Sequence, residues 1–501
     1  MIRNTPEFEK FCRESTEQEN LSYEEAVRIY DTLYEEAVAL GAIGSENIWD
    51  GFDAVLRIAR ALQGLERIRK AHQVDRQKRI RAFRGKLKWL GDMDRTRRDN
   101  AMKNSSVTAP KGFWAAGLAS GVKVSGNPDL GLLVCPTGAT AAAVFTTNKI
   151  VSAGVQVSRE HLKSRKVYAV VVNSGNANAC TGKTGLANAQ KMCALTAGYL
   201  SVEPREVLVA STGIIGHQLP MEKVTRGITE AIPLLSDSQR GGLAFARAIM
   251  TTDTRLKRAY REVKLSRATV RIAGTVKGAG MIGPNLATTL LFITTDAAIS
   301  KPLLGKALKE AIDNSLNRLT VDGHQSTNDT AMLLASGLAG NPSISSLSRP
   351  YDLFLKALTE LCTDLVRQMA LDAEGATRMF KVVVKGASSK ADAVKAARAV
   401  ADYPLFKCAV HGGDPNWGRI ICAVGSSGVD LNPDKLSCKL DDLYVFRKGA
   451  PTDFDPKAAA RIVSQREHTI TIDLGVGRLS DFYFGCDLSA EYVRINADYH
   501  T

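Results

Sequence analysis

The sequence has no apolar run that approaches the 18 or so residues a membrane-spanning helix needs. Residues 1–7 lead into no apolar core of the kind a secretory signal peptide requires. The nine cysteines are scattered without a C-x-x-C pair, which argues against a disulfide framework and against a zinc site. We therefore expect a cytoplasmic protein, with no membrane partner, whose cysteines are reduced and which binds no metal.

Two sequence motifs are also absent, one typical of nucleotide binding and one typical of serine nucleophiles. The chain contains neither the phosphate loop G-x-x-x-x-G-K-[ST] nor the nucleophile elbow G-x-S-x-G of many serine hydrolases. Residues 278–283 do fit the dinucleotide pattern G-x-G-x-x-G. However, Pro284 follows at once, and too few residues precede the next strand to hold the helix that such a site requires. A nicotinamide site is therefore not expected.

The length and the charge distribution predict two parts. At 501 residues the chain exceeds what one hydrophobic core usually holds. Residues 1–100 read as a helical extension, with a capping box at Ser22 and Glu25 followed by apolar residues at helical spacing. Residues 67–89 are strongly basic. They fit either a solvated helix face and linker or a docking module for an unknown acidic partner or nucleic acid. The rest of the net charge of +14 is diffuse, so the core is not expected to bind nucleic acid.

From residue 107 onward, short β-rich segments separated by glycines predict the core. Residues 130–134 and 139–145 read as two strands, and residues 167–172 as a third. The third strand runs into an Asn/Gly cluster at 173–182. Such a cluster supplies side-chain amides and left-handed backbone positions, which suit a binding loop or an elaborate turn equally well.

A further buried strand ends in Ser211, Thr212 and Gly213. The Thr212 hydroxyl and the Gly213 amide could together donate two hydrogen bonds to a developing oxyanion, often the largest single contribution to acyl transfer. On its own the pair would be an ordinary turn. The hydroxyl-rich residues 251–254 that follow a predicted helix could cap a helix or hold a polar substrate.

The stretch 277–295 indicates chemistry. A glycine-rich loop leads through Ala287 to Thr288, which stands at the edge of an apolar, strand-like run. We interpret the Ala287–Thr288 bond as one that the protein cleaves itself. A threonine hydroxyl needs a base, and an N-terminal threonine carries one as its own α-amine, whose reference pKa is about 7.7–8.0. Cleavage would therefore create the base.

Long segments of the sequence resemble the ornithine acetyltransferases, the glutamate N-acetyltransferases of the arginine pathway. The resemblance covers about residues 107–501, in the family's order. The matching segments are 173–182, 211–213, 250–254, 277–288, 326–330, 374–377, 414–419 and 492–501. The first hundred residues have no counterpart in this family.

The resemblance implies an α/β fold with sheets packed between helices, self-cleaved after Ala287 into an α chain, 1–287, and a β chain, 288–501. These chains would form αβ units that associate further. It implies that Thr288 is the nucleophile and that Thr212 and Gly213 form the oxyanion hole. The substrate-binding positions that it implies are Thr254, Lys277, Thr288, Glu374, Asn496 and Thr501.

The implied reaction moves the acetyl group of N2-acetylornithine onto L-glutamate through an acetyl-Thr288 ester, without a cofactor. Some members of the family also accept acetyl-CoA as donor, and the sequence leaves both forms open. Two other classes stay open as well. One is an N-terminal-nucleophile aminopeptidase or amidase, which would release its product to water. The other is a non-catalytic interaction protein whose chain is never cleaved.

Overall fold

The computed structural model describes residues 105–283 and 289–498. Three of the predictions concern parts of the chain outside the described residues, and they stay predictions. These parts are the helical extension 1–100, the Ala287–Thr288 bond and Thr501. Among the described helices, none is both long enough and apolar enough to cross a membrane.

The larger sheet has eight strands in the described residues, in the order β4-β3-β2-β8-β7-β6-β5, with β1 added beside β2. Its inner strands are near-continuous apolar runs, such as Leu290–Thr295, because helices cover both faces of the sheet. The strands are β1 Trp114–Leu118, β2 Leu130–Phe145, β3 Val167–Asn176, β4 Val207–Ile214, β5 Lys257–Leu265, β6 Ala268–Lys277, β7 Leu290–Thr295 and β8 Thr330–Ala335.

One predicted boundary in this sheet was wrong. Residues 130–134 and 139–145 are not two strands but the two halves of the 16-residue strand β2. The pairing register shifts between Val134 and Ala139, where Pro136 lacks a backbone donor and Gly138 has φ +74°. The first half pairs with β1 and β3, and the second half pairs with β8. Proline and glycine here bend a strand instead of ending it.

Alternate residues of the strands face opposite layers of helices. Leu291 and Ile293 of β7 belong to the core under the helices Lys301–Asp313 and Arg349–Leu371, whereas Leu290 and Phe292 face the opposite core. The predicted α/β class with sheets packed between helices is confirmed. The helices of this part are Ala153–His161, Gly182–Leu200, Met221–Ala231, Gln239–Ala248, Lys301–Asp313 and Arg349–Leu371, with short 3-10 helices at Pro204–Glu206, Ile232–Leu234 and Leu316–Arg318.

A second sheet, with six strands among residues 105–283 and 289–498, has the order β12-β11-β10-β13-β9-β14 and its own core. Its strands are β9 Met379–Ala387, β10 Ser437–Leu440, β11 Leu443–Arg447, β12 Ala450–Pro451, β13 Glu467–Asp473 and β14 Leu479–Cys486. The helices after β9 are Lys390–Asp402, Pro404–Gly412, Trp417–Gly425, Pro456–Val463 and Ala490–Asp498.

His468 on β13 makes the stability of the fold depend on pH. Its side chain is buried against Phe380, and neither ring nitrogen has a hydrogen-bond partner in the described part of the chain. Burial lowers the pKa of His468 from 6.5 to about 4. Between these values the unfolded chain takes up a proton that the folded chain does not, so we expect the free energy of unfolding to fall by about 3 kcal/mol as the pH drops from 6.5 toward 4.

We expect His468→Leu to remove most of this pH dependence, because leucine cannot bind the proton. Urea unfolding of the wild type and the variant at pH 7.5 and pH 4.5 measures it. The control is His217→Leu, which changes an exposed histidine and should leave the wild-type slope. An equal loss of stability on acidification in the wild type and in His468→Leu would contradict the assignment.

Candidate active site

A cavity of about 280 Å³ opens where several elements end. Strands β4 and β6, the segment before β8, the turn after the helix Arg349–Leu371 and the C-terminal helix each contribute to its wall. The described residues that line it are Ala177, Thr212, Gly213, Ile215, Thr251, Thr252, Lys277, Gly280, Met281, Asp322, His324, Ser326, Asn328, Glu374, Tyr492 and Asn496.

Thr212 and Gly213 lie at the cavity end of β4. They pair in parallel with Ser174 and Gly175 of β3, which fixes them on the sheet. Gly213 has φ +130°, and a Cβ there would stand 2.3 Å from the carbonyl carbon of Gly175, so no larger residue fits. The predicted oxyanion-hole pair therefore sits on rigid backbone in the cavity wall, although its role stays a prediction.

The Asn/Gly cluster 173–182 is a structural turn. The Asn173 amide donates to the Asn176 carbonyl, the Asn176 amide donates to the carbonyls of His217 and Gln218, and the Asn178 amide donates to Gly185. Ala177 is the one residue of the cluster in the described cavity wall. Of the two interpretations left open by the sequence, the structure favours the elaborate turn.

Lys277 ends β6 and is 3% exposed. Its Nζ donates to the Thr251 hydroxyl at 3.3 Å. Burial lowers the pKa of Lys277 below its ordinary value, while the negative charge of Asp253 opposes that shift. The cavity thus holds a buried amine whose charge state depends on the carboxylates around it.

Asp253 is the carboxylate that organises the wall around Lys277. It accepts hydrogen bonds from the backbone amides of Thr251, at 3.0 Å, and Gly278, at 2.8 Å, and it pairs with the buried ammonium of Lys257. Burial would raise the pKa of Asp253, but the positive charges of Lys257 and Lys277 outweigh it and hold the pKa below its usual range. The sequence reasoning did not single out Asp253, because its contact with Gly278 joins positions 25 residues apart and no local pattern marks it.

Thr254 does not line the described cavity wall. Its side chain is exposed, and its hydroxyl and backbone amide donate to the carboxylate of Asp372. Thr251 and Thr252, from the same hydroxyl-rich loop, line the cavity instead. The substrate-binding role of Thr254 stays a prediction. The sequence marks the loop as rich in hydroxyls but does not show which hydroxyls face the cavity, so it could not single out Thr251.

Glu374 and Asn496 meet on another part of the wall. The Asn496 amide donates to Glu374 Oε2 at 2.9 Å, which joins the C-terminal helix to the turn after the helix Arg349–Leu371. Lys277 and Glu374 thus place an amine and a carboxylate in the wall of one cavity. A small molecule that carries both a carboxylate and an ammonium group would find a partner for each.

Asp322, another residue that the sequence reasoning missed, holds the start of the glycine-rich loop. Its carboxylate accepts hydrogen bonds from the amides of Met281, at 2.7 Å, and Ile282, at 2.9 Å, and from the Tyr492 hydroxyl at 3.0 Å. The side chain of His324 lies 3.3 Å from the same carboxylate. This side of the cavity is therefore built around one carboxylate that ties the loop to the C-terminal helix.

We expect Gly280→Ala to weaken substrate binding while the fold survives. A Cβ at Gly280 would lie 2.1 Å from Glu374 Oε2, and this carboxylate is the end of a flexible side chain that can swing away. Loss of one charged contact should raise the KM for an amino-acid substrate by about 10-fold or more.

Steady-state kinetics and a thermal melt measure both parts of this expectation. The matched control is Gly305→Ala, because no atom of the described residues lies within 4 Å of a Cβ at that position in the helix Lys301–Asp313. A wild-type KM in Gly280→Ala would show that Glu374 does not contact the substrate.

The α/β scaffold sets a threonine–glycine pair on rigid backbone, in the same cavity as a buried lysine and a glutamate. This combination defines an enzyme that acts on a small charged molecule. The model of the ArgJ family matches residues 114–501, and the chain belongs to that family. The predicted resemblance is confirmed, and the residues before 114 lie outside the match.

Named relatives agree over the same region. The arginine biosynthesis bifunctional protein ArgJ of Dehalococcoides mccartyi is 46% identical over 402 residues, covering 80% of this chain and 98% of that protein. The protein of the same name from Symbiobacterium thermophilum is 46% identical over 397 residues, covering 79% of this chain and 98% of that protein.

Solved structures with some likeness include the arginine biosynthesis bifunctional protein argJ of Bacillus halodurans, at 38% identity. It covers 41% of this chain and 97% of its own, with a TM-score of 0.40. The ornithine acetyltransferase of Mycobacterium tuberculosis complexed with ornithine is 35% identical. It covers 38% of this chain and 98% of its own, with a TM-score of 0.33.

Proposed function

We propose that the protein transfers the acetyl group of N2-acetyl-L-ornithine to L-glutamate, giving L-ornithine and N-acetyl-L-glutamate in arginine biosynthesis. The observation that carries the proposal is the cavity in which Lys277 and Glu374 share a wall with Thr212 and Gly213, in a chain of the ArgJ family. The Lys277 ammonium pairs with the α-carboxylate of acetylornithine, and Glu374 pairs with its side-chain ammonium.

Maturation comes first in the proposed sequence. The Thr288 hydroxyl attacks the carbonyl carbon of Ala287, the carbon–nitrogen bond breaks, and the proton of the hydroxyl ends on the nitrogen. The resulting ester is hydrolysed by water. The products are an α chain that ends at Ala287 and a β chain that begins with the free amine and free hydroxyl of Thr288.

Acetyl transfer then uses the new N-terminus. The α-amine of Thr288 takes the proton of the Thr288 hydroxyl as the oxygen attacks the acetyl carbonyl, and the departing ornithine nitrogen receives that proton. Thr212 and Gly213 stabilise the oxyanion. The amine of glutamate then attacks the acetyl-threonine ester, and the hydroxyl is regenerated. The steps use groups of the chain, its two substrates and one water molecule during maturation, without a metal or a cofactor.

Three finer statements belong to the same proposal. The relatives are named bifunctional proteins, which supports acetyl-CoA as a second acetyl donor. The α and β chains stay together and associate into higher αβ oligomers. The enzyme works in the cytoplasm, where its amino-acid substrates are.

The test is acetyl exchange by the purified protein. With acetylornithine and glutamate together we expect N-acetylglutamate and ornithine in equal amounts, and with acetylornithine alone a single burst of ornithine. Steady ornithine and acetate release without glutamate would instead support the amidase alternative. Ornithine should compete with the donor, and acetyl-CoA in its place tests the second activity.

A further inference from the structure

Asp329 is a buried acid that the proposed mechanism does not use. It immediately precedes β8, and Thr289 immediately precedes β7. The two strands run parallel, with Leu290 opposite Thr330, so Asp329 and Thr289 stand side by side at the same edge of the sheet. Thr289 is also the residue that directly follows Thr288 in the chain.

The backbone on both sides of Asp329 is tightly held. The Thr330 amide donates to the Thr289 carbonyl at 2.9 Å, and the Thr146 amide donates to the Asp329 carbonyl at 2.9 Å. The side chain of Asp329 accepts the backbone N–H of Thr289 on Oδ1 at 3.1 Å. This is the N–H of the peptide group that joins Thr288 to Thr289.

The other oxygen, Oδ2, has no hydrogen-bond partner within residues 105–283 and 289–498, and the residue is 1% exposed. Burial raises the pKa of Asp329 well above its usual range, against the opposing effects of the Thr289 amide and the charge of Lys277. A neutral carboxyl is therefore the form that the site favours. Leaving one oxygen of a buried carboxyl without a partner destabilises the fold, and an apolar side chain at this position would avoid that cost.

We propose that Asp329 is a positioning residue for the Thr288 nucleophile, holding the Thr288–Thr289 peptide group through the Thr289 amide. The inference rests on the proposed function. A peptide plane fixed on its C-terminal side leaves Thr288 only its own backbone and side-chain torsions to sample. Fixing the nucleophile in this way favours attack on the Ala287 carbonyl during maturation and on the acetyl carbonyl during transfer, since both need the same oxygen in a defined place.

The positioning function requires an acceptor at Oδ1 and no charge. Asparagine supplies the same acceptor on nearly the same shape, whereas leucine fills a similar volume without any acceptor. We therefore expect Asp329→Asn to stay within a few-fold of the wild type in cleavage rate and in kcat. We expect Asp329→Leu to lower both by about 100-fold, with a smaller change in KM.

The experiment follows cleavage of the full chain by intact mass over time, and then measures kcat and KM on the cleaved enzyme. Asp329→Ala gives the same comparison should leucine disturb the packing, and a thermal melt of each variant confirms folding. Asp296, which follows the neighbouring strand β7 and lies at the opposite edge of the sheet, is the matched control. Its buried carboxyl also accepts backbone amides, those of Arg271 and Lys111. Asp296→Asn and Asp296→Leu should change the melting temperature and leave cleavage unchanged.

Three results would overturn the proposal. The first is a wild-type cleavage rate and kcat in both Asp329→Leu and Asp329→Ala. The second is a fall in cleavage rate and kcat in Asp329→Asn as large as in Asp329→Leu. The third is a fall in cleavage rate in the Asp296 variants equal to that in Asp329→Leu. Cleavage is measured without substrate, so a wild-type chain that cleaves but makes no N-acetylglutamate contradicts the proposed function alone.

Discussion

Replacing Thr288 with alanine should leave a single uncleaved chain of 54.0 kDa with no measurable acetyl transfer. Without the hydroxyl, nothing attacks the Ala287 carbonyl, so the second chain and its free α-amine are never made. The variant loses the nucleophile and the base together. We expect the transfer rate to fall by at least about 10⁴-fold, the scale seen when a nucleophile that works with its base as a unit is removed.

Intact mass and gel electrophoresis of the purified protein measure the result directly. Thr288→Ser keeps a hydroxyl and should cleave, while Thr289→Ser leaves the predicted nucleophile in place and should give two chains. Two fragments from Thr288→Ala with masses that match 1–287 and 288–501 would rule out the Thr288 hydroxyl as the group that cleaves the chain, and fragments of other masses would rule out the proposed bond. Cleavage with full transfer activity in that variant would rule out the nucleophile as well.

The fold was predictable as far as local patterns decide it. The run Leu290–Thr295 is apolar at most positions because both faces of β7 are covered, and the sequence shows this directly. Strand β2 was not predictable as one element. Pro136 and Gly138 are local signals of a break, and only the pairing of the second half with β8 carries the strand through them.

The cavity was predictable in part, and for a different reason. Thr212, Gly213, Lys277, Glu374 and Asn496 were assigned by resemblance, and the structure brings all five to one cavity. Composition and spacing could not have predicted that these five residues meet, since the residues come from four separate regions of the chain.

The supporting carboxylates were not predictable from the sequence. Asp322 binds the amides of Met281 and Ile282, some 40 residues away, and Asp253 binds Gly278, 25 residues away. In such contacts a carboxylate accepts from backbone amides, which nearly every residue type carries, so no motif marks the partner. The side-chain direction that places Thr251 in the cavity and turns Thr254 toward Asp372 is likewise a property of the folded loop.

Thr212→Val should lower kcat by about 10²–10³-fold while KM changes little. Valine has the shape of threonine without the hydroxyl, and residue 212 is 3% exposed, so the substitution removes one donor and almost no volume. A donor aimed at an oxyanion acts mainly after the carbonyl oxygen has gained charge, so its loss slows the reaction without weakening substrate binding. Removing one such donor from an oxyanion hole typically costs about 3–4 kcal/mol in the transition state.

The same substitution also tests whether maturation and transfer share one site. Both reactions develop negative charge on a carbonyl oxygen attacked by the Thr288 hydroxyl, so a single hole beside that hydroxyl would serve both. Thr212→Val should then slow cleavage as well as transfer, whereas Thr252→Val, which removes a hydroxyl elsewhere in the wall, should slow neither as much. Time courses of cleavage, followed by kcat on chains allowed to mature fully, separate the two effects. A lower kcat with a wild-type cleavage rate would mean that the precursor uses other hydrogen-bond donors for its oxyanion. A wild-type kcat and a wild-type cleavage rate together would show that Thr212 is not part of the oxyanion hole.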